Sequence, residues 1–530
     1  MTYYRTSTTG GRKYKQLVES RWNPDKKRSE VHVIKHLGRV IEKDGKEILK
    51  PSPLKVDSID KAYPVGKLAI FYMLAGELNI QKSISRTLDY EDKEFSNSLL
   101  LLAFNQLIGR KPLTKIRQWI TDTPIPRWTK IDVNQLTKDY FLSSLDAVSD
   151  KCAEVEKSCA YAIQNELATS WKKIIGEEPE RYFYFQDVTR IKWNGSPTFW
   201  AQRGYGKQPG KTHLGFGLIV SSENFMPVMG YPVRGSKHDS TTVRESIDNL
   251  VRWGKKKITF VWDRGFVNKD NVEMARGAKY HVLGGVPMTS DEAKDLISRY
   301  SDSEIECWEN ILKLGKDQAV YFKDIIDELY GQECKIVVML DPNRKVNSRV
   351  ERDILFKELE IETDRTRKSK LKKDLNSFIR PSVGRKGYII DSNEETLARN
   401  SDGRSLFFCT DRTMSGDQII HTYFQKDYVE KAFRFLKGNA CLSPIRYQLP
   451  GRVEAYLSVV NFVAYELIAG VLWKIKKHKL DVSYDDLMDE ADKIYEVEMT
   501  SKGSKVFRWT HMSKDIEKLF KPYNIMSLRT

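Results

Sequence analysis

Cysteine is scarce in this chain: six in 530 residues, at 152, 159, 307, 334, 409 and 441, with no C-x-x-C pair. That spacing speaks against a zinc ribbon and a disulfide framework, and it suits a reducing, cytoplasmic compartment. A long apolar run is also missing. The opening MTYYRTSTTGGRKYK has no apolar core and does not read as a signal peptide. The best membrane candidate, Val453 to Trp473, is interrupted by Glu454, Asn461 and Glu466, and its longest charge-free stretch, Ala455 to Tyr465, is 11 residues. A bilayer needs about 20, so a buried core helix, a soluble protein and no membrane partner are expected. An acidic excess is the third absence: 88 Lys and Arg face 72 Asp and Glu, for a net +16.

What is present suits a packed protein, with 40% hydrophobic and 11% aromatic residues. A chain of 530 residues exceeds what a single core supports, so two or more domains are expected. Residues 1–50 hold 13 Lys and Arg against 6 Asp and Glu, and so carry +7 of the net charge. Charge says nothing about fold, but this balance favours a polyanionic partner; a merely solvated basic surface is the alternative.

Local patterns divide the chain. Lys15–Trp22 and Glu30–Leu37 flank the turn-rich Asn-Pro-Asp-Lys-Lys and predict a hairpin. From Tyr63 to about Trp171 apolar residues recur at helical spacing, as in Leu68, Phe71, Tyr72 and Ala75. That block reads as a DNA-binding and dimerising region or as a helical scaffold. Beyond Arg181 the pattern becomes α/β. Strands are expected at Tyr182–Asp187, His213–Val220 and Met226–Val233, then a helix opened by a Thr242/Glu245 capping box. The apolar strand Ile258–Asp263, a helix near Asn268–Ala278 and a strand at Tyr280–Leu283 follow. This order opens an RNase H-like, retroviral-integrase-like sheet, although other α/β folds share it. Strand-like runs at Ala319–Phe322, Lys335–Leu340 and Gly387–Ile390 accompany a charged helical stretch, Glu351–Phe378, before a strand at Leu406–Thr410 and a helix over Asp427–Lys437. The expected division is a basic β-rich segment 1–50, a helical region 51–175, core 176–290, a β-containing insertion domain 291–404, core again 405–475, and a C-terminal region 476–530.

Three carboxylates stand out. Asp187 is the only acid between Arg181 and Arg190, on a strand that is mostly aromatic. Asp263 closes an apolar strand and precedes Arg-Gly-Phe, where Gly265 permits a tight exit turn. An Asp at a strand end is more often a turn or capping residue; two on neighbouring strands are more telling. In the Asp427–Lys437 helix, Val429, Ala432, Phe433 and Leu436 form an apolar stripe, and Glu430, Arg434 and Lys437 form another. Extending the helix backwards adds Lys426 and Tyr423 to that second face. Alone, such a stripe is a solvated Glu–Arg pair. Beside two strand aspartates it resembles a metal ligand next to phosphate clamps, because phosphodiester chemistry with two hard cations needs a few converging carboxylates.

These residues resemble the DDE transposases of insertion-sequence family four and its sixteen-thirty-four relatives, which carry a Y-x2-R-x3-E-x6-K signature. The match here is Tyr423-x2-Lys426-x3-Glu430-x6-Lys437, with Lys where the family has Arg. Phe185-Gln-Asp187-Val-Thr, Gly204-Tyr-Gly with His213-Leu-Gly-Phe-Gly-Leu, Arg234-Gly-Ser-Lys-His-Asp239, Asp263-Arg-Gly-Phe and Leu442-Ser-Pro-Ile-Arg-Tyr fit the same family in order. Asp187 and Asp263 stand 76 residues apart, and Asp263 and Glu430 stand 167 apart, as an insertion in the core would give.

The resemblance implies an enzyme in which Asp187, Asp263 and Glu430 hold two Mg²⁺ or Mn²⁺ ions. It implies cleavage at the terminal inverted repeats of a transposon, in many members through a hairpin, and strand transfer to target double-stranded DNA. It also implies a homodimer in the synaptic complex. Tyr423, Lys426 and Lys437 would grip phosphates, with Arg434 supplying the fork that Lys426 lacks. Trp308, the only Trp between 290 and 405, would stack on a flipped base, a core position being the alternative. Asp239 and His238 read as loop or capping residues, or as supporting groups of the site. Lys255–Lys257 and residues 365–373 track phosphates or are simply solvated. Two rival readings remain: a catalytically inactive DNA-binding descendant, and an RNase H-like nuclease without strand transfer.

Overall fold

The computed structural model describes residues 2–24, 26–43, 46–50, 56–149, 159–175, 179–204, 211–222, 226–288, 290–315, 318–381, 388–440 and 442–529. Cys152, Tyr205, Gly206, Gly387 and Cys441, singled out above, lie outside them. The chain forms two compact units, one of Met1–Val65, Lys493–Ser513 and Ser527–Thr530, the other of Gly66–Asp492 with Lys514–Met526. The C-terminal region 476–530 is thus shared between the units rather than separate.

In the first unit β1 (Thr2–Thr9), β2 (Arg12–Asn23), β3 (Arg28–Lys43) and β4 (Lys46–Lys50) form an antiparallel sheet in chain order. β2 and β3 contain the expected hairpin. A second sheet pairs β5 (Ser58–Pro64) with β18 (Tyr495–Ser501), which pairs with β19 (Ser504–Trp509). Tyr63, expected to begin the helices, is therefore in a strand, and its hydroxyl donates to the Glu498 carboxylate.

The second unit opens with helices between Gly66 and Ile175. Its sheet comprises β6 (Tyr182–Lys192), β7 (Gln202–Arg203), β8 (Thr212–Ser221), β9 (Pro227–Val233), β10 (Ile258–Trp262), β11 (His281–Gly285), β12 (Ile311–Lys313), β13 (Ala319–Leu329), β14 (Gln332–Leu340) and β17 (Arg404–Cys409). The spatial order is β12-β13-β14-β17-β11-β10-β6-β8-β7, with β9 also on β8. β6, β8 and β9 run antiparallel, whereas β10 is parallel to both β6 and β11. All five residues of β10 are buried, as a central parallel strand covered on both faces requires. One face is covered by the Val243–Arg252 and Lys269–Gly277 helices, whose Val243, Ile247, Leu250, Val272 and Ala275 pack with Tyr184, Phe260 and Trp262.

Residues 291–404 lie in sequence between the core strand β11 and the start of β17. β14 pairs with β17 from Lys335↔Cys409 to Leu340↔Arg404, so β12–β14 extend the core sheet. The apolar Ile336–Leu340 end of β14 is buried and needs that neighbour. The charged stretch is two helices, Pro342–Ile361 and Arg365–Asp374, sharing a small cluster of Leu359, Leu371 and Leu375. β15 (Ile379–Pro381) and β16 (Tyr388–Ile390) pair with each other. Arg404, only 2% exposed, fixes this region by donating to Asp302 and to the carbonyls of Ile297 and Tyr300.

The helical stretch Pro450–Lys477 is long and apolar enough to cross a membrane, but 94% of its apolar window is buried within the protein. It is a core helix here, and it carries the buried Glu466.

Candidate active site

Strand parity places the two aspartates together. Along β6, Tyr184 and Val188 face the cluster under the Val243–Arg252 helix, so Phe185 and Asp187 point to the opposite face. There Phe185 meets Tyr428 of the Asp427–Gly438 helix, with ring centroids 5.7 Å apart. The parallel register pairs Val261 with Phe185 and Trp262 with Gln186. Asp263, the next residue, therefore leaves β10 beside Asp187, one strand spacing of about 4.8 Å away.

A buried amide locks this register. Trp262 Nε1 donates to Gln186 Oε1 at 2.9 Å, while Gln186 Nε2 reaches the Tyr231 hydroxyl at 2.7 Å and Ser246 Oγ at 3.0 Å. The reading from sequence did not single out Gln186. Its signal was available, since a Gln facing the core from an aromatic strand demands partners.

Burial is the main cause that pushes the Asp187 carboxyl up to about 6; the Val188 N–H, donating at 2.7 Å, works against it, and the carboxylates of Asp239, Asp263 and Glu430 add to the rise. Asp263 and Glu430 thus both lie within electrostatic reach of Asp187. Asp263 differs. Burial raises its carboxyl, but the Lys426 ammonium, the Arg264 N–H and the Tyr423 hydroxyl outweigh that and hold it below its ordinary value. Asp263 Oδ1 accepts from Arg264 N at 2.8 Å and Tyr423 Oη at 3.1 Å, with Lys426 Nζ at 3.3 Å. Burial, and then the neighbouring Asp263, push the Tyr423 phenol far up, so it remains a donor. Its hydroxyl fits only because residue 285 is glycine: a Cβ there would stand 2.9 Å from Tyr423 Oη.

The helix carrying Glu430 is not continuous back to Tyr423, as the sequence suggested. Tyr423 lies in the last turn of the Gly416–Phe424 helix, a turn covers Gln425 and Lys426, and a new helix begins at Asp427. The break swings Tyr423 and Lys426 onto Asp263 instead of stacking them along one face with Glu430. Within the second helix the expected stripes hold: Val429, Ala432, Phe433 and Leu436 are buried, while Glu430, Arg434 and Lys437 are exposed. Trp308 is 80% exposed rather than core. It precedes β12, five strand positions from β10, or roughly 24 Å across the sheet at about 4.8 Å per strand. It is not brought to the carboxylates of its own chain.

Two smaller expectations change. Gly265 has no positive φ, and a Cβ there would meet nothing, so the exit turn does not require glycine. The Thr242/Glu245 capping box does not form. Thr242 Oγ1 donates to the Asp239 carbonyl at 2.7 Å, and Glu245 accepts from the Tyr161 hydroxyl at 2.8 Å. Asp239 instead ion-pairs with Arg190 and adds negative charge near Asp187. Its loop is seated by close backbone contact: a Cβ on Gly235 would lie 1.9 Å from the His213 carbonyl oxygen. Gly235→Ala is expected to lower stability by about 1–3 kcal/mol, the range for overpacking, seen as a drop in thermal midpoint; an unchanged midpoint would contradict the packing.

Carboxylate oxygens with no Cys or His suit hard divalent cations. The crowding of negative charge around the half-buried Asp187 is a site that a cation would relieve. Among the described residues, however, no three His, Cys, Asp or Glu side chains are arranged to hold a metal ion. The acids share a field without forming a closed ligand cluster, and at Asp263 the cationic neighbour is Lys426.

No curated protein matches the chain. One similar solved structure is a piggyBac transposase synaptic complex with hairpin DNA, at 9% identity and a TM-score of 0.38, covering 76% of this chain and 70% of that one. That likeness is too distant to argue from. The family model described as the transposase DDE domain matches residues 178–467, more than half of the chain, and spans Asp187, Asp263 and Glu430. With an RNase H-like mixed α/β core and this match, the chain belongs to the DDE-domain transposase family.

Proposed function

We propose that this chain is the transposase of an insertion sequence resembling family four and its sixteen-thirty-four relatives, cutting DNA at the terminal inverted repeats and joining the freed ends to target DNA. The observation that carries this reading is the register of β10 on β6, which sets Asp263 beside Asp187, with Glu430 near enough to raise the Asp187 carboxyl. Asp187, Asp263 and Glu430 would hold two Mg²⁺ or Mn²⁺ ions, which when bound supply the charge that stabilises the attacking and leaving oxygens. Asp263 is oriented by Arg264 N–H and Tyr423 Oη. Exposed Arg434 and Lys437 offer cations to DNA phosphates, and exposed Trp308 is available to stack on a base, though away from its own acids. Two ends must be brought together, so a homodimer on DNA is the natural assembly, in the cytoplasm at the nucleoid.

The full chain, a supercoiled plasmid carrying the native ends and Mg²⁺ test the reading. End cleavage followed by joining of pre-cut 3′-hydroxyl ends to a second plasmid is expected. Cleavage without joining would leave a plain nuclease, and binding without cleavage would leave an inactive descendant.

Lys426 has its own test. Its ammonium lies 3.3 Å from Asp263 and 5.1 Å from the Tyr423 ring centroid. Lys426→Arg keeps the charge and adds a fork for phosphate, so cleavage should be maintained or raised. Lys426→Ala should slow it by about tenfold or more, the scale of losing a charged hydrogen bond. Equal rates for all three proteins would remove Lys426 from the site.

A further inference from the structure

A cavity of about 490 Å³ opens at the end of the sheet away from the acids, between the starts of β6 and β10 and the Cys159–Ile175 helix. Tyr182 in its wall precedes Asp187 by five residues on β6, roughly 16 Å along a strand, so this is not the site described above. Trp171, Lys172, Tyr182, Tyr184, Trp253 and Lys255 line it, followed by Lys256 and Lys257. Every charged side chain among its described lining residues is a lysine.

Three features of this wall require the same kind of partner. Burial holds the Lys255 ammonium below its ordinary value, and the Lys172 ammonium adds to the effect, so two like charges are close. Trp171 is 3% exposed, and its indole N–H is buried without a hydrogen-bond acceptor among the described residues; a buried donor left in that state is costly unless something accepts from it. Aromatic rings stand beside the charges, with Lys172 Nζ 5.8 Å from the Tyr182 ring centroid. The complement to clustered ammoniums, an orphan N–H and aromatic surface is a molecule with anionic acceptor oxygens and a flat π-face. The volume is in the range of small-ligand pockets, about 300–1,000 Å³.

We propose that this cavity binds a phosphorylated nucleoside, with the phosphate between Lys172 and Lys255, the Trp171 N–H donating to it, and the base against the aromatic wall. The ligand is either a free nucleotide or the terminal nucleotide of a single DNA strand. Nothing in this assignment uses the carboxylates, so it holds or fails separately from the transposase reading.

Calorimetric titration of the full-length protein tests it, with inorganic phosphate, dAMP and a 5′-phosphorylated ten-nucleotide single strand as probes. dAMP should bind, and more tightly than phosphate. Lys255→Met and, on a separate element, Lys172→Gln should each weaken it about tenfold, while Asp187→Asn binds it as wild type does. Thermal melting of both lysine variants checks that they fold; the second keeps the test open if the first does not. Displacement of dAMP by the oligonucleotide assigns the strand end, and failure to displace it assigns the free nucleotide. Absence of dAMP binding, binding unchanged in both folded lysine variants, or phosphate binding as tightly as dAMP would each overturn the proposal.

Discussion

Asp187→Asn is expected to reduce Mg²⁺-dependent end cleavage by about 10³-fold or more, which corresponds to about 4 kcal/mol of lost transition-state stabilisation, while the thermal midpoint of the metal-free protein stays level or rises. The two halves have one cause. Asp187 is half-buried on β6, where desolvation and the neighbouring acids raise its carboxyl to about 6. Near neutral pH it is mostly charged, and that charge is desolvated and repelled by its neighbours. The neutral amide removes the penalty and keeps the shape. It also removes the anionic oxygen through which a hard cation would be held. Cleavage measured with native ends, beside a melting curve, separates function from folding. Wild-type cleavage in a folded Asp187→Asn protein would end the assignment, and a large fall in thermal midpoint would show that Asp187 is a structural residue.

The largest effect on stability is expected at Glu466. It is 1% exposed in the core helix, and neither carboxylate oxygen has a hydrogen-bond partner among the described residues. Burial raises its carboxyl from an ordinary 4.5 to about 8. Between those values the folded chain keeps a proton that the unfolded chain releases. Stability from this group is therefore fully present below about pH 4.5, declines by about 1.4 kcal/mol per pH unit as pH rises, and levels off above about pH 8. Near pH 7 the deficit is about 3 kcal/mol. Glu466→Gln carries no such proton, so denaturant unfolding should show it little changed near pH 5 and more stable by about 4 kcal/mol near pH 8. Parallel pH profiles for the two proteins would contradict a buried, unpaired carboxyl.

The core strands were legible because their apolar runs are long and clearly bounded. A sequence is ambiguous where a local pattern has two structural solutions. The charged and apolar alternation of 291–404 is equally compatible with a separate domain and with extra strands on the core sheet, and only the pairing of β14 with β17 puts β12–β14 on that sheet. Tyr423 through Lys437 has a helical period, but period alone does not reveal the break at Gln425 and Lys426 that turns two of its side chains toward Asp263. Thr242 and Glu245 have capping-box spacing, yet nearby acceptors and donors claimed both side chains. Residue type alone leaves Trp308 between a stacking role and the core, and its position beside the edge strand β12 follows from contacts no local window contains.

The order of the main strands and helices from Tyr182 to Leu283, the three acids at their spacings and the apolar stripe beneath Glu430 were determined by the sequence alone, because periodicity and turn chemistry act over a few residues. Tertiary structure alone decided which acids share a field with Asp187, that Lys426 and Tyr423 meet Asp263, that Gln186 locks the register, and that Lys172 joins Lys255–Lys257 at a cavity away from the acids. Each of those depends on residues far apart in the chain, and their distances are set by sheet pairing and burial rather than by any local preference.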